Sequence, residues 1–105
     1  GYPMSVPRLT PEEKRRALEK ARWVRSERAK LKSQLKQGTV SLAEVLEKDD
    51  DAVIAGMPVR QLLESLPRIG KVTCERLMDE IGIDRARRVR GLGVRQRSEL
   101  LKKLG

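Results

Sequence analysis

Residues Leu66 to Leu77 read "LPRIGKVTCERL", and this stretch decides the fold. A Pro, a Gly and two basic residues are packed between two apolar patterns of helical spacing. Upstream, Val59, Leu62, Leu63 and Leu66 form one stripe of a helix "PVRQLLESL" that Pro58 opens and Pro67 ends. Downstream, Cys74, Leu77, Met78 and Ile81 share a face of a helix running from Val72 to Ile81, with Gly82 as its stop. The junction is therefore a helical hairpin with Gly at its pivot. Such a hairpin leaves backbone N–H groups unpaired at the start of its second helix, next to the positive end of the helix dipole, which makes an anion site. Gly70 lets a phosphate approach without a Cβ in the way. Arg68 and Lys71 add charge on either side, and Ile69 turns inward to fix the loop. The bland alternative for these residues is a plain helix–helix turn.

Outward from the hairpin the chain continues to read as helix. Thr10, Pro11 and Glu13 form a capping box that starts a run with no breaker before Gly38. About 26 helical residues span roughly 39 Å. Ala17, Ala21, Val24, Leu31 and Leu35 make its apolar seam, which Arg28 interrupts. The early seam is mostly alanine, so the C-terminal half should dock while the N-terminal half projects. Ser41 and Glu44 open a second, short helix "LAEVLEK", and the acidic run Asp49 to Asp51, a solvated loop, leads into one further turn. The last helix covers roughly Val94 to Leu104. No stretch alternates convincingly as a strand, so the expected fold is all-α. It divides into a flexible lead at 1–9, a long basic helix at 10–38 and a globular helical domain at 39–105.

Composition narrows the function. The chain has 105 residues, one domain's worth, with no Phe, one Trp, one Tyr, one Cys and no His. An internal disulfide is impossible, and zinc sites and histidine catalysis find no residues to build them. Cys74 lies on an apolar stripe and reads as a small buried hydrophobe in preference to a redox switch. No cofactor or metal site is expected. No run approaches a membrane span and no signal-peptide pattern opens the chain, so an intracellular, soluble protein is expected. Net charge is +9. It is split as +7 over residues 1–40, −4 over 41–67 and +6 over 68–105. Two basic blocks around an acidic middle suit a polyanion, nucleic acid before membrane, and hint at two binding faces.

The basic residues sort into candidates. Arg85, Arg87, Arg88 and Arg90 crowd into six positions, and Arg95 and Arg97 carry the patch onto the last helix. A charge run is usually a solvated face, but four crowded like charges repel unless a polyanion meets them. Gly91 and Gly93 lie in the same turn. On the long helix, Lys14, Arg15, Arg22, Arg25 and Lys32 offer a second surface, against the plain alternative of charges kept for solubility. Trp23 lies off the seam. Packing on the globular part is favoured for it over stacking on an Arg or touching DNA.

The stretch from Leu66 to Leu104 resembles the helix–two-turns–helix module of a small-subunit ribosomal protein and of formamidopyrimidine-type DNA glycosylases. Ile69-Gly70-Lys71 matches its first turn, Ile81-Gly82-Ile83 the helix end, and Arg88-Val89-Arg90-Gly91-Leu92 its second turn. The module boundary is placed at 58–104. The whole chain is similar to the actinobacterial integration host factor family, through "LTPEEKRRALEKA", "LPRIGK" and "RRVRGLG". That resemblance implies a nucleoid-associated, cytoplasmic protein that binds double-stranded DNA with little sequence preference, through phosphate and minor-groove contacts. It also implies bending or bridging of duplexes and support of phage integration, with a phage integrase met on DNA, and a monomer when free. A structural RNA-binding protein of the ribosomal type is the alternative, although stacking aromatics are absent. A base-excision enzyme, which the hairpin also resembles, fails on size, on the lack of a zinc knuckle and on the lack of a persuasive catalytic acid. The protein is expected not to be an enzyme.

Overall fold

The computed structural model describes residues 8–105. Most of the lead read at 1–9 thus lies outside the described residues. Helix α1 (Pro11–Gln37) begins where the capping box places it: Thr10 Oγ1 accepts from the Glu13 amide at 3.1 Å, and Glu13 returns the bond to the Thr10 amide at 2.8 Å. Gly38, at φ 79°, ends it in the left-handed conformation that only a residue without a Cβ adopts cheaply. Helix α2 (Leu42–Glu47) starts from the second box at Ser41 and Glu44. Asp51 Oδ1 caps the four-residue α3 (Ala52–Ala55) through the Val53 amide at 2.8 Å.

Helix α4 (Val59–Glu64) differs from the expected "PVRQLLESL" at both ends. Pro58 is the N-cap and not the first helical residue, with ψ 134°. Beyond Glu64 the chain tightens into i→i+3 bonds, with the Leu66 amide reaching the Leu63 carbonyl at 3.1 Å. Helix α5 (Lys71–Ile81) ends at Gly82, φ 84°. A 3₁₀ turn (Val89–Gly91) precedes α6 (Val94–Leu104). Among the described residues there is no strand, only an isolated antiparallel bridge between Pro58 and Arg88. Its bonds run from the Val59 amide to the Arg87 carbonyl and from the Val89 amide to the Met57 carbonyl, both 2.9 Å. They pin the arginine-rich turn against the start of α4.

One aliphatic core joins all six helices, with Leu35, Leu62, Leu63, Met78, Val89 and Leu100 fully enclosed and Cys74 among them. The Cys74 reading therefore holds: its thiol sits 3.8 Å from Met78 Sδ, and burial pushes its pKa up, with the Glu64 charge adding to the effect. The long helix docks only by its second half. Every residue from Pro11 to Trp23 is exposed, whereas Leu31 is half-buried and Leu35 is sealed. An overall extent of 53 × 30 × 24 Å reflects that projecting arm. Trp23 is 56% exposed and is not among the side chains packed on the core, so the favoured packing is not what the structure shows. The ring stands at the rim of a groove of about 300 Å³ lined also by Leu31, Val40 and Ile54.

Candidate nucleic-acid interface

The hairpin between α4 and α5 turns on a different residue from the one its sequence suggests. Arg68 takes the positive φ, 68°, while Gly70 is extended at φ −92°, ψ −176°. A left-handed non-glycine residue costs roughly 1–2 kcal/mol, and here Pro67 stops α4 while Ile69, packed on the core, fixes the chain beyond. The predicted inward turn of Ile69 is thus present, but the glycine pivot is not. What Gly70 contributes is space: a Cβ there would meet nothing within 4 Å. Behind it, no side chain caps α5, and the first intrahelical bond is the Cys74 amide to the Gly70 carbonyl at 2.9 Å. The amides of Lys71, Val72 and Thr73 are left with no protein partner, pointing out of the helix start. Arg68 and Lys71 are exposed on either side, without an ion pair among the described residues. Val72, 78% exposed, stands beside them as uncovered apolar surface.

The second turn is built by tertiary bonds. Arg88 Nη1 donates to the Gly56 carbonyl at 2.5 Å, which ties the turn to the end of α3. Arg87 folds over Gly91 and donates to its carbonyl at 3.1 Å. A Cβ on Gly91 would stand 2.8 Å from Arg87 Cδ, so a larger residue there would push the Arg87 side chain off the turn. Arg90 is exposed and makes no hydrogen bond or ion pair to the described residues. Asp84, Ala86, Arg87, Arg88, Arg90 and Gly91 line a shallow cleft of about 340 Å³. Gly93 precedes α6, its amide donating to Gln96 Oε1 at 2.9 Å, and leaves the Val94 and Arg95 amides free.

Three further arginines marked in the sequence are also held by the protein itself. Arg97 is the clearest: its guanidinium donates to the carbonyls of Leu92, Leu46 and Val89 at 3.2–3.3 Å and pairs with Asp49 at 2.7 Å. It staples α6 to α2 and to the 3₁₀ turn. Arg85 is neutralised by Glu75 at 3.4 Å and Asp79 at 3.1 Å on α5. Arg95 caps the C-terminus of α5 through the Ile81 carbonyl at 2.7 Å, and Gln96 does the same for Gly82 at 3.0 Å. The first turn of α6 thus sits on the last turn of α5, so the two helix starts lie about 16 Å apart, the length of α5.

On the arm, Lys14, Arg15, Arg22, Arg25 and Lys32 are all exposed. Arg15 approaches Glu19 at 3.9 Å, while the other four have no ion pair among the described residues. Sequence reasoning missed Arg28, treating it as a break in the seam. Its Nε donates to the Val53 carbonyl at 3.3 Å, and its guanidinium lies beside those of the second turn. Burial, with the Arg88 charge second, holds its pKa below the ordinary arginine range. An arginine on an otherwise apolar seam was the one signal that could have identified it.

Residues 35–104 match the model of the S13-like H2TH domain. A Mycobacterium tuberculosis protein named Integration host factor is 48% identical over 97% of this chain and 98% of its own length. Its namesake in Streptomyces coelicolor is 47% identical, over 97% and 96%. A solved structure, that of sIHF bound to an 8 bp palindromic DNA, superposes with a TM-score of 0.80 at 45% identity, covering 83% of this chain and 99% of that one. With the uncapped helix start, the stapled second turn and the long arm in place, the chain belongs to the integration host factor family.

Proposed function

We propose that this protein is an architectural, nucleoid-associated DNA-binding protein that grips duplex DNA by its backbone with little regard to sequence. The observation that carries this reading is the start of α5. Three unpaired amides, an open Gly70 and two unpaired cations converge where a phosphate oxygen would accept their bonds. Arg88 and Arg90 take further phosphates or the minor-groove edge, and Arg87 shapes the turn over Gly91. Gly93 leaves the α6 start free as a second, lesser anchor. Arg85, Arg95 and Arg97 hold the face in shape and do not touch DNA. Lys14, Arg22, Arg25 and Lys32 supply a second surface, for the same bent duplex or for another one. Bending or bridging follows from two cationic faces on one rigid body. The free protein is a monomer, and it assists an integrase through the DNA they share. No catalytic step is assigned to it. Integration host factor relatives and a DNA-bound neighbour draw the reading away from a ribosomal RNA-binding role.

The test is fluorescence anisotropy of a labelled duplex across a salt series, with unrelated DNA and double-stranded RNA as competitors. Wild-type protein should lose roughly a thousandfold in affinity between 50 and 200 mM salt if about six phosphates are neutralised. Lys71→Glu and Arg90→Glu should weaken binding to unrelated duplexes alike. A loss confined to one sequence, or RNA that competes better than DNA, would sink the proposal.

A further inference from the structure

Gly56, which closes α3, is where three guanidiniums meet, one from α1 and two from the second turn. Arg28 arrives from the middle of α1, with Nη2 3.0 Å from the point a Gly56 Cβ would occupy. Arg90 Nη1 is 3.6 Å from the same point, and Arg88 Nη1 is bonded to the Gly56 carbonyl. None of the three has a carboxylate partner among the described residues, although Arg85 has two and Arg97 has one. Their protein contacts are neutral carbonyls at Val53 and Gly56, which orient a guanidinium without cancelling its charge. Arg28 itself lies at a seam position where an apolar side chain would dock α1 at no electrostatic cost. The Arg28 pKa is held low by burial first and by Arg88 second, so part of the cost comes from another cation. Three like charges gathered around a residue with no side chain repel one another, and an anion placed among them relieves that repulsion.

We infer that Arg28, Arg88 and Arg90 form a site for one phosphodiester of the bound duplex, over the bare face of Gly56. The inference rests on the DNA-binding reading above and adds to it that the docked half of the long helix belongs to the same DNA face as the second turn. Guanidinium forks suit the two free oxygens of a phosphodiester, and the absent Cβ is what lets Arg28 and Arg90 close on Gly56 from two sides. Arg28 is thus a DNA ligand as well as a brace of α1.

Salt-dependent anisotropy on two unrelated duplexes separates these roles, with circular dichroism to check folding. Arg28→Ala should make the slope of log affinity against log salt shallower by about 0.9, so that the loss between 50 and 200 mM is roughly 3.5-fold smaller than in the wild type. The change should be equal on both duplexes, and Arg28→Lys should restore most of the slope. A brace alone would lower the melting temperature of Arg28→Ala and leave the slope untouched. Gly56→Ala keeps every charge and puts a methyl 3.0 Å from Arg28 Nη2, so it should weaken binding several-fold in a folded protein. If Arg28→Ala does not fold, Gly56→Ala decides, and unchanged affinity there overturns the site. If Arg90→Glu flattens the slope while Arg28→Ala keeps the wild-type slope, this inference fails and the DNA-binding reading stands. If neither variant alters the slope, the DNA face itself has been misassigned.

Discussion

Replacing Arg97 with Ala tests whether arginines on this surface hold the fold or hold DNA. The side chain is 21% exposed and its guanidinium is shared by three carbonyls and one carboxylate. Truncation leaves the Leu46 and Leu92 carbonyls short of a donor and weakens the bonding of Val89, whose carbonyl keeps only the Leu92 amide at 3.1 Å. At roughly 1 kcal/mol net per lost bond, these contribute about 2–3 kcal/mol. The ion pair adds under about 1 kcal/mol, since Asp49 is 45% exposed and water screens it. Ala is the best helix former, so α6 itself loses nothing. The sum is about 3 kcal/mol of a total stability of roughly 5–15 kcal/mol. For a domain of this size that lowers the melting temperature by about 12–24 °C. Calorimetry or circular dichroism melts would measure it, and anisotropy below the variant's melting point would show wild-type salt dependence. A variant melting within about 2 °C of the wild type yet binding DNA tenfold more weakly would refute the structural assignment. Arg97 would then return to the DNA face on which its sequence position places it.

The remaining expectations follow from the arm and from the core. Thr10→Ala should fray the first turn of α1, a cap loss of about 1 kcal/mol. Because that half of α1 touches nothing else, the loss should appear as reduced helical signal with the global melting temperature unchanged. The Glu13 carboxyl, held below its ordinary pKa by the Thr10 amide and then by its hydroxyl, supports the cap above that ordinary value and loses it as pH falls through the lowered one. The same fraying should therefore appear in the wild type on acidification, and its absence would contradict the cap's role. Cys74 should react with a thiol reagent only on unfolding, since its Sγ is enclosed. Its raised pKa makes stability fall as pH rises from the free-thiol value of about 8.5 through the folded one, and Cys74→Ala should abolish that component of the alkaline loss.

Local chemistry explains what could be read before the fold was seen. The boxes at Thr10 and Ser41, the glycine stops at 38 and 82, and the stripe of Val59, Leu62, Leu63 and Leu66 depend on neighbours within four residues, so a linear sequence displays them. The uncapped start of α5 was visible for the same reason. The fates of the arginines were not. Arg88 is fixed by a carbonyl 32 positions away and Arg97 by one 51 positions away. Six-position crowding from Arg85 to Arg90 looks uniform in sequence, yet Arg85 is paired, Arg87 is folded over Gly91, and Arg90 is free. Arg68 is a second case. Nothing local prefers a left-handed arginine to a left-handed glycine two residues on, and the choice is made by Ile69 reaching the core.

Arginine is used here in a way that links stability to charge. The core is aliphatic, and its helices are short enough that unpaired C-terminal carbonyls are numerous. Arg28, Arg88 and Arg95 each satisfy a carbonyl near a helix end, at Val53, Gly56 and Ile81. A carboxylate partner would have done the same positioning while cancelling the field, as happens at Arg85. A carbonyl partner orients the guanidinium and leaves its full charge outward. Rotamer freedom that a mobile surface cation would surrender on meeting a phosphate, roughly 0.5–1.5 kcal/mol per side chain, has already been given up in folding. On the proposed DNA face this leaves Arg28 and Arg88 as pre-oriented cations, while Arg95 closes the end of α5 beside it. Lysine, a point charge on a flexible stem, could supply the field at these positions but not the fork that does both jobs. An arginine-to-lysine series across the three should thus keep the salt slope while eroding both melting temperature and affinity, and a series that lost neither would separate charge from scaffold.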